Sequence, residues 1–151
     1  MDWIKACFIS KTEFRWYYQE QLQILNNQKT LVGVECNYKK NYSEIVIEDI
    51  TNNDPDYIPV KFPTGGIEIN TILIDEERMC MFTGNRDGIL VLYSLDTNGY
   101  SRKILKDYGN LRIGRIYCSL KIGNIAVFGG DRSSIALINI ENRKKLGIIY
   151  D

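Results

Sequence analysis

The stretch that decides the fold is GNRDGILVLYSL, from Gly84 to Leu95, because a similar stretch follows at GGDRSSIALINI, from Gly129 to Ile140. Each stretch ends in a run of alternating apolar residues, and a third such run, EIVIEDI, ends at Ile50. The ends of the three runs are 45 residues apart. A fixed period in the forties indicates a repeat architecture rather than a single mixed fold.

Four short strands fit into each period. The runs described above supply the third strand, and a second strand precedes each of them at 31–36, 79–84 and 125–130. The first strands are predicted at 20–25, 67–74 and 113–120, and the fourth strands at 57–62, 100–106 and 145–150. Asp87-Gly88 predicts a tight hairpin, because such turns need positive φ. Residues 14–25 fit both a helical face and a strand, and the repeat favours the strand.

The prolines give an independent check on this unit. Pro55, Pro59 and Pro63 all fall in and around the fourth strand of the first unit. Proline cannot donate a ladder hydrogen bond, so within a sheet it belongs on an edge strand. Since the fourth strand of a four-stranded meander is an edge, the placement agrees with the predicted unit.

Four-stranded units that repeat every ~40–45 residues are typical of β-propeller blades, and the chain resembles the WD-repeat family. The resemblance lies in Gly84, Asp87-Gly88 and the apolar strand that follows, although Tyr93-Ser94 stands where the family carries Trp-Asp. The chain has no histidine, so the buried network that regular members build around a histidine is absent. The resemblance implies an all-β fold of antiparallel four-stranded blades, about 12–13 strands in an incomplete ring.

The resemblance also implies a domain organisation. The whole chain, 1–151, is expected to be a single partial propeller. Residues 3–14 are predicted to be a leading edge strand of a preceding blade, and the blades follow at 15–62, 63–106 and 107–151. Because propellers close with about 4–8 blades, three blades leave an apolar face at each end of the arc. The remaining blades are expected from the same longer chain, a second copy or another subunit.

The composition excludes several classes of function. The chain has 19 basic and 19 acidic residues, and no basic run predicts binding to nucleic acid or to a membrane surface. Without a signal peptide or a long apolar run, a cytoplasmic protein is expected. The four cysteines, Cys7, Cys36, Cys80 and Cys118, lie singly in apolar strand-like runs. They are expected to be buried, reduced thiols.

Catalytic chemistry is not predicted. Without histidine the chain has no Ser-His-Asp triad, no Cys-His pair and no histidine-based metal site, and no cofactor or metal is expected. Asp75-Glu76-Glu77 is interpreted as a solvated turn between two strands rather than as an acid–base pair. The glycines of FTGNRDG and FGGDR precede strands, whereas a phosphate-binding loop must open a helix.

Surface recognition is the function that these exclusions leave. In propellers, the loops between the second and third strands and those between blades gather on one face. Arginine and tyrosine are common at binding hot spots, and this face is predicted to present a partner-binding set: Arg86, Asp87, Tyr108, Asn110, Arg112, Asp131 and Arg132. The predicted function is a protein–protein interaction scaffold in a larger intracellular assembly, with a cytoskeletal or ciliary complex as one setting. The alternative is a non-catalytic regulatory portion of a larger enzyme.

Overall fold

The computed structural model of the chain describes residues 8–10, 13–15, 22–37, 42–64, 68–95 and 103–151. These residues form β-strands and turns, and no helix occurs among them, as the predicted all-β class requires. Within the same ranges no helix is long and apolar enough to cross a membrane. Of the fourteen strands described, twelve form three antiparallel four-stranded sheets and two form a separate two-stranded sheet.

The first two strands pair with each other. β1 (Phe8–Ser10) and β2 (Glu13–Arg15) are antiparallel, with Ile9 opposite Phe14. The described part of the predicted leading strand, 3–14, thus contains two paired strands rather than one strand. Pairing within the segment satisfies backbone groups that a lone strand would leave open.

The first sheet follows the predicted meander. It consists of β3 (Leu22–Ile24), β4 (Thr30–Asn37), β5 (Tyr42–Asp49) and β6 (Val60–Pro63), each paired with its neighbour in sequence. β6 is an edge strand that ends at a proline, as the position of the prolines predicted. Residues 22–24 are a strand, and residues 16–21 of the ambiguous segment lie outside the described part of the chain.

The second sheet differs from the prediction in its last strand. It consists of β7 (Ile69–Asp75), β8 (Cys80–Asn85), β9 (Ile89–Ser94) and β10 (Ile104–Asn110). The fourth strand was predicted at 100–106, but pairing with β9 continues to Asn110 through two irregularities in the register. The boundary between the second and third units therefore lies after residue 110 rather than after residue 106.

The third sheet follows the second along the chain. It consists of β11 (Ile116–Ile122), β12 (Ile125–Gly130), β13 (Ser134–Asn139) and β14 (Lys144–Tyr150). β11 begins three residues later than predicted, because the longer β10 displaces the connecting loop along the chain.

One backbone hydrogen bond recurs at the same place in each sheet. The amide nitrogens of Ile50, Leu95 and Ile140 donate to the carbonyl oxygens of residues 29, 79 and 124, at 2.8 Å in every case. These three donors are the residues that define the 45-residue period in the sequence. The repeat is therefore structural, and corresponding positions in the sheets can be compared directly.

The sheets stack through two apolar clusters. Val32, Ile45 and Ile47 of the first sheet pack with Ile72 and Tyr93 of the second. On its other side the second sheet buries a further set against the third, including Phe82, Leu90, Leu92, Phe128 and Ile138. Packing between neighbouring blades thus holds the arc together, as expected for a chain without the histidine network.

Two predictions about side-chain burial were wrong. Asp75, assigned to a solvated turn, is 1% exposed and lies between the second and third sheets, where it accepts hydrogen bonds from Arg78 and Lys121. Cys118 is exposed, because a register irregularity separates it from Ile116 and leaves it on the uncovered face of the third sheet. Cys80 is buried as predicted. The side chains of the other two cysteines, at positions 7 and 36, lie outside the described part.

Candidate functional site

Loops from the second and third sheets meet around one open cleft of about 310 Å³, called here the loop-face cleft. The β8–β9 turn, the β10–β11 connection and the β12–β13 turn form its walls. Its lining residues are Arg86, Asp87, Asn110, Arg112, Gly114, Arg115, Asp131 and Arg132. The cleft is therefore a product of the repeat, since all three segments lie at the same ends of their strands.

The β8–β9 turn is fixed by Asn85. Its Oδ1 atom accepts hydrogen bonds from the backbone nitrogens of Asp87 and Ile89, both at 2.9 Å. Gly88 follows with φ of 78°, the conformation that the Asp-Gly pair predicted. Asn85, rather than the neighbouring aspartate, holds the turn in shape.

The connection from β10 to β11 is tied to this turn. Asn110 donates from Nδ2 to the carbonyl oxygen of Asp87 at 2.6 Å, and its Oδ1 accepts from the Arg112 nitrogen at 2.7 Å. The Leu111 nitrogen donates to the Gly88 carbonyl oxygen at 2.9 Å. These bonds hold Arg112 at φ of 64°, a left-handed conformation that is uncommon for a residue with a side chain.

The same connection is tied to the β12–β13 turn. Asp131 accepts at Oδ1 from the Arg115 backbone nitrogen at 3.0 Å, and its own nitrogen donates to the Arg115 carbonyl oxygen at 3.2 Å. The Arg132 nitrogen donates to the Ile113 carbonyl oxygen at 3.3 Å. Gly114 lies so close that a Cβ atom there would be 1.7 Å from Asp131 Oδ1. The cleft therefore has a rigid backbone frame.

The charge in the cleft is unequally paired. Arg86 forms an ion pair with Glu68 at 3.1 Å, and Arg115 lies 3.9 Å from Asp131. The Arg115 guanidinium also contacts the Tyr117 hydroxyl at 3.5 Å, which is the main cause of its raised pKa. Within the described ranges, no hydrogen bond or ion pair engages the guanidinium groups of Arg112 and Arg132. With Glu68 included, four arginines face three carboxylates, so the cleft has an excess of one positive charge.

Six of the seven residues predicted for the partner-binding set line this cleft. The exception is Tyr108, which lies on β10 because that strand extends beyond its predicted end. Its hydroxyl donates to the Arg143 carbonyl oxygen at 3.1 Å, and its ring lies 6.2 Å from that of Phe82. Burial raises the pKa of Tyr108 to about 12. Tyr108 thus joins the second and third sheets.

The sequence interpretation missed Arg115. The predicted first strand of the third unit began at Ile113, which placed the arginine inside a strand. In the structure β11 begins at Ile116, and Arg115 belongs to the connecting loop. The adjacent Gly114, with φ of 77°, is the one local signal that the strand starts later.

No group of three or more His, Cys, Asp and Glu side chains that could hold a metal ion occurs among the described residues. The absence of catalytic activity and of a cofactor remains a prediction from the sequence.

The fold defined by these sheets and loops is an arc of a β-propeller. No family model matches the sequence, and no curated protein matches it. Among solved structures, the chain is similar to the WD40 domain of Toxoplasma gondii coronin, with a TM-score of 0.65 and 12% sequence identity. The match covers 82% of this chain and 33% of the coronin chain. The chain therefore has the fold of a partial WD-repeat propeller and spans about a third of the length of this neighbour.

Proposed function

We propose that the chain is a non-catalytic protein-interaction scaffold that forms part of a WD-repeat-like propeller in a larger assembly. One observation carries this proposal: one apolar face of the third sheet is exposed. The corresponding face of the second sheet is covered by the next blade, the third sheet. We call it the outer face of the third sheet and define it by Leu120, Ile122, Val127, Ile135, Leu137 and Ile149.

The 45-residue repeat identifies the corresponding residues. In the second sheet, Phe82, Leu90 and Leu92 are all 0% exposed beneath the third sheet. Their counterparts in the third sheet are Val127, Ile135 and Leu137, which alternate with residues that point back to the second sheet. The repeat thus supports a further four-stranded blade as the occupant of this face.

The exposure of the outer face is large for a folded protein. Leu120 is 58% exposed, Ile122 is 61% exposed and Ile149 is 56% exposed. Fully burying one such side chain stabilises an assembly by about 1.5–3 kcal/mol, and a contiguous apolar patch of this kind marks an interaction site. By contrast, Leu31 and Val46, which point away from the second sheet at the other end of the arc, are 1% exposed. The proposal therefore places the added blade at the end formed by the third sheet.

Light scattering on a sizing column tests the proposal with matched variants. We expect the wild-type chain to associate through the outer face, or to need a co-expressed partner for solubility. A Leu120→Lys/Ile135→Lys variant should be monodisperse at 17.5 kDa. Ile58→Lys is the control, because Ile58 is 83% exposed and lies in the β5–β6 connection of the first sheet.

The outcomes separate the possible sources of the blade. A discrete wild-type dimer that the double variant abolishes would mean that a second copy supplies the contact. A chain that is soluble only with another subunit, or only within a longer chain, would mean that the blade comes from there. A wild-type monomer whose solubility and mass match those of the double variant would contradict the proposal.

The loop-face cleft is the second part of the proposal, as the surface that binds a protein partner. The intracellular location and the cytoskeletal or ciliary setting stay predictions from the resemblance. Co-purification from a cytoskeletal fraction, with the Leu120→Lys/Ile135→Lys variant as the control, tests the setting.

A further inference from the structure

The loop-face cleft contains two arginine side chains whose guanidinium groups form no hydrogen bond or ion pair with the described residues. Arg112 and Arg132 are exposed, and they come from the loop and the turn that hydrogen bonds fix to each other. A guanidinium group binds carboxylate and phosphate through two parallel hydrogen bonds. Two such groups on one rigid frame indicate a site for two anionic groups.

From this arrangement we infer that the cleft binds an extended peptide segment of a partner protein that carries two anionic side chains, carboxylates or phosphates. The inference rests on the proposed role in protein interaction and specifies the chemistry of the partner. Arg112 and Arg132 bind the anionic groups. Arg86 and Arg115 have acidic partners in the chain, so the positive charge open to a partner comes from Arg112 and Arg132.

The hydrogen-bonded loops of the cleft favour binding, because their backbone is already ordered before a partner binds. Asn110 links the turn at Asp87 to the Arg112 nitrogen, and Asp131 is bonded to the Arg115 backbone in both directions. Binding to a preorganised site avoids the entropy cost of ordering loops. The arginine backbones are therefore held in place before the partner arrives.

The shape and charge of the cleft favour a peptide over other anions. Small-molecule sites enclose most of their ligand, whereas this cleft is open along the loop face. Nucleic acid presents continuous negative charge and is bound by strongly basic surfaces, but the chain is neutral overall. The Asp87 carboxylate, which accepts no hydrogen bond from the described residues, can accept one from a peptide N–H group, which a nucleic-acid backbone lacks.

Fluorescence anisotropy with defined probes tests this inference on the full chain, in whichever assembled state it purifies. The probes are fluorescein-labelled glycine-serine-alanine peptides that carry two glutamates, two phosphoserines or two glutamines, with several separations between the charged residues. An unstructured uridine oligonucleotide is the nucleic-acid probe. We expect the charged peptides to bind at least about tenfold more tightly than the glutamine peptides.

Arg112→Asn/Arg132→Gln removes both cations, and asparagine tolerates the left-handed backbone at position 112. We expect this variant to bind the charged peptides about tenfold more weakly. Lys144→Gln/Lys145→Gln is the control, because it removes the same charge from exposed positions at the opposite end of the third sheet. If both variants lose the same affinity, the effect is one of net charge and the inference is wrong.

The probes also identify the source of the anion. A phosphoserine peptide that binds more tightly than the glutamate peptide and loses more affinity in Arg112→Asn/Arg132→Gln would favour a phosphorylated partner. A glutamate peptide that binds as tightly despite its lower charge would favour a partner with carboxylates. Charged peptides that bind no better than the glutamine peptides would overturn the inference, as would an oligonucleotide that binds more tightly with the same arginine dependence. Neither result would affect the part of the proposed function that concerns the outer face of the third sheet, which the solution mass tests separately.

Discussion

Lys121 on β11 donates a hydrogen bond to the buried carboxylate of Asp75 at the end of β7, with Nζ 3.0 Å from Oδ1. This bond joins the third sheet to the second. Arg78 reinforces it from the β7–β8 turn, donating to Asp75 Oδ2 at 2.8 Å and to Asn124 of the third sheet at 2.9 Å. Glu76, which follows Asp75, accepts a hydrogen bond from the Asn26 backbone nitrogen of the first sheet. One turn therefore links all three blades.

Replacing Asp75 should destabilise the stack. We expect Asp75→Asn to lower the free energy of unfolding by about 2 kcal/mol, since it weakens hydrogen bonds from two cations to a buried carboxylate. Glu77→Gln in the same turn is the control, because its side chain is 79% exposed and lies 3.5 Å from Arg78. The control should change stability by no more than about 0.5 kcal/mol. Urea unfolding followed by fluorescence measures both, and equal effects would mean that the buried position of Asp75 is unimportant.

The same carboxylate should make stability depend on acid pH. Burial raises the pKa of Asp75, but the hydrogen bonds from Lys121 and Arg78 outweigh that effect and hold the pKa below its ordinary value of 3.8. A carboxylate with a depressed pKa stabilises the fold above its unfolded pKa, and this contribution is lost as pH falls through the folded pKa. The difference in unfolding free energy between wild type and Asp75→Asn should therefore be constant near neutrality and shrink below about pH 4. A difference that stays constant into the acid range would contradict this account.

The strands could be predicted from the sequence because their signals are local. Alternating apolar residues mark each third strand, and Asp87-Gly88 specifies a turn within four residues. The contact between Asp75 and Lys121 has no local signal, because the residues are 46 positions apart. Their meeting depends on which strand of the next blade lies opposite.

The candidate site was predictable to a similar extent. Because the repeat predicts both turns, their residues were expected on one face. Arg86, Asp87, Asp131 and Arg132 line the same cleft. Tyr108 was misplaced because β10 continues through two register irregularities that pattern analysis does not detect. Arg115 was missed for the same reason, since the longer β10 moves the loop along the chain.

The position of Tyr108 leads to a third prediction. Tyr108→Phe removes the hydroxyl that donates to the Arg143 carbonyl oxygen, but Lys106 Nζ still donates to that oxygen at 2.7 Å. We expect a loss of about 1 kcal/mol in unfolding free energy and no change in partner binding at the cleft. Peptide anisotropy checks the binding, and a loss of affinity would return Tyr108 to the partner-binding set.

Tyr108 should also be distinguishable by titration. Burial is the main cause that raises its pKa to about 12, against about 10 for an ordinary tyrosine. Because the folded state holds this proton more tightly, the stabilisation is present below about pH 10 and is lost as pH rises through the folded pKa. Near-ultraviolet absorbance should show that the late-ionising signal of the wild type is smaller by one tyrosine in Tyr108→Phe. An identical late phase in both proteins would contradict the assignment.

Two glycines separate backbone conformation from close packing. Gly109 and Gly114 both have positive φ, at 63° and 77°. Nothing lies within 4 Å of a Cβ atom built on Gly109, whereas one on Gly114 would meet the Asp131 carboxylate. We expect Gly109→Ala to cost about 1 kcal/mol from backbone strain alone, and Gly114→Ala to cost about 3 kcal/mol because Asp131 must also move.

The same pair tests whether the loop-face cleft depends on its frame. Displacing Asp131 breaks its bond to the Arg115 nitrogen, so Gly114→Ala should also weaken binding of the charged peptides, while Gly109→Ala should leave it unchanged. Unfolding in urea and peptide anisotropy on the two variants measure both effects. If the two alanines cost the same stability and neither alters binding, the close approach of Gly114 to Asp131 does not shape the site, and Arg112 and Arg132 must be positioned by the remaining hydrogen bonds of Asn110 and Ile113.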